Sequence, residues 1–391
     1  MTRVVVLGGA GWEAQGIVKD LVRSGVSEVV LADIQEDRAR EIAADMMAPH
    51  TRVVSQLVDA NDAERLVETI RGADVVVSAL GPFYRYGIKT LRAAIDARVP
   101  YVDINDDYDA TQQALTLNDE AVRADVTAVI GLGVSPGVSN VCARHGAGRL
   151  DQVDTIYIAW IGAAGPGGPA VLLHCFHGLA DKIPVYSDGE LKFVRPLEEP
   201  KRPVIFPDPF GPVEAPCFGH TEPITLPKFI KGVKAVAVRA SLFPSIYQQT
   251  LERLAQLGLL SKEPVSVGGI RMAPRDFVLA CFETVIETPA MHREVESALE
   301  TLPTLTYGSL MVEVSGNRSG GPVRYTYVMN ADLCDATDWP ASIGAQMLAR
   351  GDIQQRGVLT PEQCIDPEPF FRELKKRGIT IDEKQETTRA L

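Results

Sequence analysis

Residues 3–16 constrain this chain more than any other stretch. Arg3-Val4-Val5-Val6-Leu7 is a largely apolar run that ends in Gly8-Gly9-Ala10-Gly11, and a helical pattern with Ile17, Val18, Leu21 and Val22 on one face follows. A strand, a tight glycine turn and a helix in that order make a phosphate cradle. The helix N-terminus offers unpaired N–H groups and the positive end of its dipole. Read as G-x-G-x-x-A, the motif assigns Gly9 to the turn, Gly11 to the close approach of phosphate and Ala14 to helix packing on the strand. A second apolar run, residues 26–33, ends in Asp33, 24 residues after Gly9. A carboxylate there suits the two hydroxyls of an adenosine ribose and repels a 2′-phosphate, and Ile34 and Gln35 follow it rather than Arg. The expected cofactor is NAD, with NADP less favoured.

Composition narrows the class. At 391 residues two domains are the natural expectation, and 46% hydrophobic with 23% charged residues describes packed cores rather than disorder. A net charge of −12 speaks against nucleic acid or an anionic membrane as partner. No apolar run approaches the roughly 20 residues of a membrane span, and Val4–Leu7 is too short for a signal-peptide core. The six cysteines are scattered with no C-x-x-C pair, which fits thiols in a reducing cytoplasm.

Strand-like and helix-like segments alternate to about residue 145. Further strands are expected at 51–58, 73–80, 100–103 and 126–130. Helices are expected at 61–71 (capped by Asn61), 86–97 and 109–123. This is the pattern of an α/β Rossmann-type domain with a doubly wound parallel sheet. After Gly148 short β-like runs at 155–161, 233–239 and 310–315 alternate with Gly/Pro-rich loops such as 162–169. Sustained helices are expected only at 245–259 and 275–299. The second domain is therefore expected to be α+β on a mixed or antiparallel sheet. The organisation is read as 1–148 for dinucleotide binding, 149–335 for substrate and oligomerisation, and 336–391 as helices (342–350, 368–377) packing back on the first domain.

Gly8-Gly9-Ala10-Gly11 also resembles the opening of extended short-chain dehydrogenases, but their Tyr-x-x-x-Lys pair is missing, Tyr86 and Lys89 being one residue short. A fuller match runs along the chain. Gly9-Ala10-Gly11-Trp12-Glu13-Ala14-Gln15 resembles the opening of the saccharopine dehydrogenase (glutamate-forming) family. Tyr101-Val102-Asp103 and Gly133-Val134-Ser135-Pro136-Gly137-Val138-Ser139-Asn140 resemble two further hallmarks, the second closest in form to the lysine 6-dehydrogenase branch. Gly351-Asp352-Ile353, Gly357-Val358 and Pro361-Glu362 fit the family's ending. The resemblance implies an NAD(P)-dependent oxidoreductase acting on a C–N bond of an amino acid. Oxidative deamination of a basic amino acid such as lysine, or its reverse, is the first expectation. An imine reductase joining an amine to a carbonyl compound, as saccharopine- or carboxynorspermidine-forming enzymes do, is the second. A non-catalytic NAD-binding sensor is the reading from another class. The family further implies a homodimer or homotetramer.

Hydride transfer asks little of side chains beyond binding an ammonium and a carboxylate and managing protons. Asp103, ending the fifth strand, is the candidate to hold or deprotonate an ammonium, with Asn105 beside it. Ser135 and Asn140 lie where a strand leads into a helix whose N–H groups suit a carboxylate or cofactor. Tyr84, past Gly81-Pro82, is read as a lid. His174 and His177 are candidate proton carriers, since imidazole titrates near neutrality. They lack a third ligand nearby, so no metal is expected. His220 and Glu222 are read as lining the substrate cleft and Arg239 as a carboxylate clamp. The expected cofactor contacts are Gly9, Gly11, Trp12, Glu13, Ala14, Asp33, Ile34, Asp59, Ala79, Leu80, Gly81, Pro82 and Gly133.

Overall fold

The computed structural model describes residues 2–163, 168–180, 182–284 and 289–388. The chain divides into two units, Met1–His145 with Cys334–Thr380, and Gly146–Leu333 with Ile381–Leu391. The first starts with β1 (Arg3–Leu7), α1 (Trp12–Arg23), β2 (Glu28–Asp33), α2 (Glu36–Asp45), β3 (Arg52–Leu57) and α3 (Ala63–Ile70). The chain then crosses to the other side of β1. There it forms β4 (Val75–Ser78), α4 (Phe83–Ala97), β5 (Tyr101–Asp103), α5 (Tyr108–Thr116), α6 (Asn118–Arg123), β6 (Thr127–Val129) and α7 (Val138–Ala147). All pairings are parallel, in the order 357–359, β6, β5, β4, β1, β2, β3. Val4, Val5 and Val6 are at most 1% exposed, as a central strand covered on both faces requires. Each such side chain stabilises the sheet by about 1.5–3 kcal/mol. Strand order reverses between β1 and β4, where a doubly wound sheet takes its ligand beyond the carboxyl ends.

Local details differ from the sequence reading. Asp62, not Asn61, caps α3, accepting from the Arg65 N–H at 3.1 Å. The expected helix at 109–123 is two helices with Leu117 at the break. The tail adds a seventh strand, Gly357–Leu359, beside β6. Three residues are too few to show a period, so the segment reads as loop in sequence.

The second unit carries a seven-stranded mixed sheet in the order 382–387, 321–332, 307–318, 152–163, 235–243, 183–187, 190–194. Gln152–Ala163 and Ala235–Phe243 run parallel, and the other pairs are antiparallel. On one face Trp160, Ala240 and Leu242 pack with Cys175, Phe176, Leu251 and Val278. These four come from the helices Gly168–Ala180, Ser245–Gln256 and Pro274–Thr284. On the other face Ala159 and Ile161 are covered by Val204 and Ala215 of the hairpin 202–215 and by Phe206 and Phe210 within it.

The helix 168–180 has no amphipathic signature, because Val171, Leu172, Leu173, Cys175 and Phe176 put apolar groups all round it. The expected helix 275–299 is seen as Pro274–Thr284 and Pro289–Leu299, while residues 285–288 and 164–167 of the expected loop lie outside the described residues. The tail's helices Leu333–Arg350 and Pro367–Lys376 are longer than, or close to, those expected. Residues 382–387, assigned in sequence to the tail's packing on the first domain, instead form an exposed edge strand paired with Gly321–Asp332. Charged residues dominate that strand, as edges demand, and conceal it from hydrophobic patterning. Among the described residues no helix is long and apolar enough to cross a membrane.

Candidate functional site

In the first unit the carboxyl ends of β1, β2 and β4 converge. Gly8 is the residue of the turn with positive φ (76°), so it, and not Gly9, makes the bend. Gly9 serves a close approach, since a Cβ there would lie 2.7 Å from Leu31 of β2. The turn closes with the Gly11 N–H on the Gly8 carbonyl at 2.8 Å. Gly11 is the N-cap of α1 and supplies no side-chain cap, so the first turn presents N–H groups of the kind that receive a pyrophosphate. Ala14 is fully buried against the sheet.

Asp33 holds this turn in place. Its carboxylate accepts from the Ala10 N–H at 3.0 Å and from the Gln35 N–H at 2.8 Å. Beside it Ile34 is 61% exposed. Asp59, past the end of β3, is exposed and folds back on the Asn61 N–H at 2.8 Å. The Ala79 N–H bonds the Leu7 carbonyl at 3.0 Å, and Leu80 abuts Gly8, so the 79–82 segment borders the turn. Trp12 donates its indole N–H to Cys334 Sγ at 3.1 Å. Glu13 stands in the first turn of α1 with its carboxyl hydrogen-bonded to Asp338 of the helix 333–350.

The ends of β5 and β6 form a second polar knot. Asp103 is 2% exposed. One carboxyl oxygen accepts from Tyr101 Oη at 2.9 Å, the other from the Gly131 N–H at 2.7 Å and the Asn105 N–H at 3.1 Å. Burial pushes this carboxyl up to about 6, against the pull of Gly131, Asn105 and Tyr101, with Asp106 adding to the rise. Burial first, and Asp103 second, hold the Tyr101 phenol well above its ordinary range. Asp103 was expected to meet an ammonium, and its donors are instead the protein's own.

Asn105 is similar: its amide donates to Thr111 Oγ1 and accepts from the Asp107 N–H, each at 3.0 Å. Asp107 in turn receives the Tyr84 N–H at 3.0 Å, and Tyr84 belongs to the first turn of α4 rather than to a loop lid. In the loop after β6 the Gly133 N–H bonds the Pro136 carbonyl at 2.9 Å, and Ser135 is 9% exposed. Asn140, read as a substrate ligand, is fully buried. It accepts from the Gly137 N–H at 3.0 Å and donates to Glu362 at 2.8 Å, anchoring the loop.

In the second unit His220 Nδ1 lies 2.6 Å from Glu222 Oε2, with the residues 1% and 0% exposed. Glu222 opens the helix Glu222–Phe229 two residues after His220, which places its carboxylate back on the imidazole. Around the pair stand Trp160, Phe218 and His174, the His174 ring edge-on to His220 at 5.4 Å. His177, one turn after His174 on its helix, is 3% exposed. Arg239 is no free clamp, because its guanidinium donates to Tyr157 Oη, to the Pro200 carbonyl at 2.8 Å and to the Ala215 carbonyl at 3.1 Å.

The sequence reading missed Asp338, Tyr101 and Gly8. A signal for Asp338 exists in Gly16, a glycine inside a helix, which marks a close neighbour. Nothing local names the neighbour.

A family model described as saccharopine dehydrogenase NADP binding domain matches residues 4–129, and one described as saccharopine dehydrogenase C-terminal domain matches residues 179–379. The "lipid droplet localized protein" of Caenorhabditis elegans is 33% identical over 110 residues, 26% of this chain and 26% of its own length, so the match spans about a quarter of that relative. Among solved structures, apo saccharopine dehydrogenase (L-Glu forming) from Saccharomyces cerevisiae superposes with a TM-score of 0.67 at 15% identity, covering 99% of this chain and 100% of that one. At that identity the likeness bears on the fold alone. Matched in both units, and over more than half its length by the C-terminal model alone, the chain belongs to the saccharopine dehydrogenase family.

Proposed function

We propose that this chain is an NAD-dependent dehydrogenase that oxidises an amine of a basic amino acid, lysine at its ε-carbon foremost. The observation that carries the reading is the uncapped start of α1, bordered at the end of β2 by Asp33 with no basic residue directly after it. The matching family model is described as NADP-binding. The ground for preferring NAD here is that a 2′-phosphate would meet the Asp33 carboxylate as like charge. When bound, the nicotinamide supplies the acceptor for a hydride leaving the carbon that bears nitrogen.

The chain's own residues handle protons and position. With Nδ1–H directed at Glu222, His220 keeps a lone pair on Nε2, and Glu222 fixes that tautomer and the ring's orientation. In this reading Nε2 takes a proton from the substrate ammonium. Loss of hydride from R–CH2–NH2 then leaves R–CH=NH2+. Water adds to the iminium carbon and ammonia leaves, giving the aldehyde. Asp103 serves as a brace for the loop after β6. The reaction is assigned to the cytoplasm, in a homodimer or homotetramer, and all six cysteines being thiols agrees with a reducing compartment.

The test is absorbance at 340 nm with NAD or NADP and a panel of amino acids and diamines at alkaline pH, repeated in reverse with NADH, amines and carbonyl compounds. Turnover of lysine with NAD is the expected result. Turnover only in reverse, with one amine and carbonyl pair, replaces it with an imine reductase. Preference for NADP overturns the Asp33 argument, and cofactor binding without any turnover leaves a sensor.

A further inference from the structure

In the second unit residues 265–272 form a two-stranded sheet of their own, outside the seven-stranded one. Val265–Val267 and Ile270–Met272 pair antiparallel around Gly268-Gly269, both at positive φ (58° and 86°), as a two-residue hairpin loop demands. The register sets Val265 opposite Met272 and Val267 opposite Ile270, so these four side chains share one face, while Ser266 and Arg271 share the other. The hairpin is therefore amphipathic. Its apolar face lies in water, with Val265 47%, Val267 57% and Ile270 68% exposed. Ser266 and Arg271 behind it are exposed as well, so among the described residues nothing covers either face. Two strands alone are marginally stable in water, and exposed apolar surface of this kind marks a contact. Leu257 and Phe277, 73% and 57% exposed, add to it on either side in the chain.

We propose that the hairpin 265–272 is an interface between two copies of this chain, its face of Val265, Val267, Ile270 and Met272 stacked on the same face of a second copy about a twofold axis. The inference rests on the homo-oligomer assigned above and locates one of its contacts, independently of cofactor and substrate. The apolar face carries no charge, so two copies can lay it together with Ser266 and Arg271 turned outward to water. Lys262 and Arg271 stand in the same stretch as Glu263 and Asp276, and a twofold axis brings each sign to the other. Residues 257–277 also match in size the roughly 20 residues a side of a standard interface. An anionic lipid surface is a poorer occupant, because the chain carries a net charge of −12.

The experiment is sedimentation velocity and light scattering of the full chain over a range of concentrations, for wild type, Ile270→Glu and Ser266→Glu, with circular dichroism and thermal melts of each. Ile270→Glu is expected to halve the assembly, from dimer to monomer or from tetramer to dimer. Its dissociation constant should rise roughly 100-fold or more, since a twofold interface takes each substitution twice. Ser266→Glu, on the opposite face, should associate as wild type does. Ile270→Ser is the milder variant that keeps the test valid should Ile270→Glu fail to fold. Association unaffected by Ile270→Glu overturns the proposal and leaves the homo-oligomer standing, and equal disruption by Ser266→Glu overturns the facing assigned to the hairpin. A wild type that is monomeric at every concentration overturns the homo-oligomer itself and the proposal with it. Flotation of that monomer with phosphatidylglycerol vesicles, lost in Ile270→Glu, would then give the face to lipid.

Discussion

The two sheets of this molecule use polar side chains in opposite ways. At the strand ends of the first unit, carboxylates and amides bond to main-chain N–H groups: Asp33 to Ala10 and Gln35, Asp103 to Asn105 and Gly131, Asp107 to Tyr84, Asn140 to Gly137. These side chains fix loops, and what remains for the phosphates is backbone. In the second unit a buried polar pair is side chain on side chain, Glu222 on His220, within a wall of Trp160, Phe218 and His174. A loop held by its own carboxylates can bind a cofactor by shape and dipole, whereas proton chemistry needs a titratable group aimed by a partner. The difference teaches that residue type alone does not mark a catalytic acid in an α/β fold, because the same Asp at a strand end serves as well to tie down a turn.

The largest effect that would sharpen this contrast is expected at the histidine. His220→Ala should lower kcat by roughly 10²–10⁴ with NADH affinity unchanged, and Glu222→Gln should fall between it and wild type. A parallel loss of cofactor affinity would break the division of labour between the units. Next comes the buried pair that ties the tail into the first unit. Arg377 donates to Asp20 at 2.8 Å, and Ser342 Oγ donates to the same carboxylate at 2.6 Å. Arg377→Met leaves Asp20 without its countercharge and should cost about 3–5 kcal/mol in urea unfolding.

Asp103 tests whether a strand-end acid is a brace. Its carboxyl, at about 6 folded against 3.8 in the unfolded chain, binds more protons in the folded state between those values. Its contribution to stability therefore falls as pH rises through that window. Asp103→Asn should remove about 2 kcal/mol of this dependence, read as the difference between variant and wild-type unfolding at pH 4 and 7. An unchanged pH profile would show that the carboxyl is not held as the geometry implies. The smallest effect is expected at Asp33→Ser, which should weaken NAD binding about tenfold, leave NADP little changed, and so narrow the preference between them. Equal losses for both cofactors would make Asp33 a brace for the turn and nothing more.

Much of the first unit was legible because its signals are local. Apolar runs of strand length, a glycine turn and Asp33 at the proper distance all lie within one βαβ unit, and a parallel sheet follows from their alternation. Errors there were small, Gly9 in place of Gly8 for the bend and Asn61 in place of Asp62 for the cap, because adjacent residues of like type cannot be ranked without the backbone path. The second unit was legible as a class and not in detail. Its helix 168–180 is apolar on every side, so its period carries no contrast.

Sequence by itself determined the dinucleotide fold, its phosphate-binding helix end and the resemblance that the family models bear out. Only tertiary structure decided what each polar residue meets. Asp103 satisfies Gly131, Asn140 reaches Glu362, Asp20 reaches Arg377, and Asp338 meets Glu13. Three of these four contacts join residues more than 200 positions apart, where no period or motif can pair them. Burial then raises the carboxyls of Asp103 and Asp338, since desolvation depends on what packs around a carboxyl and not on its neighbours in sequence.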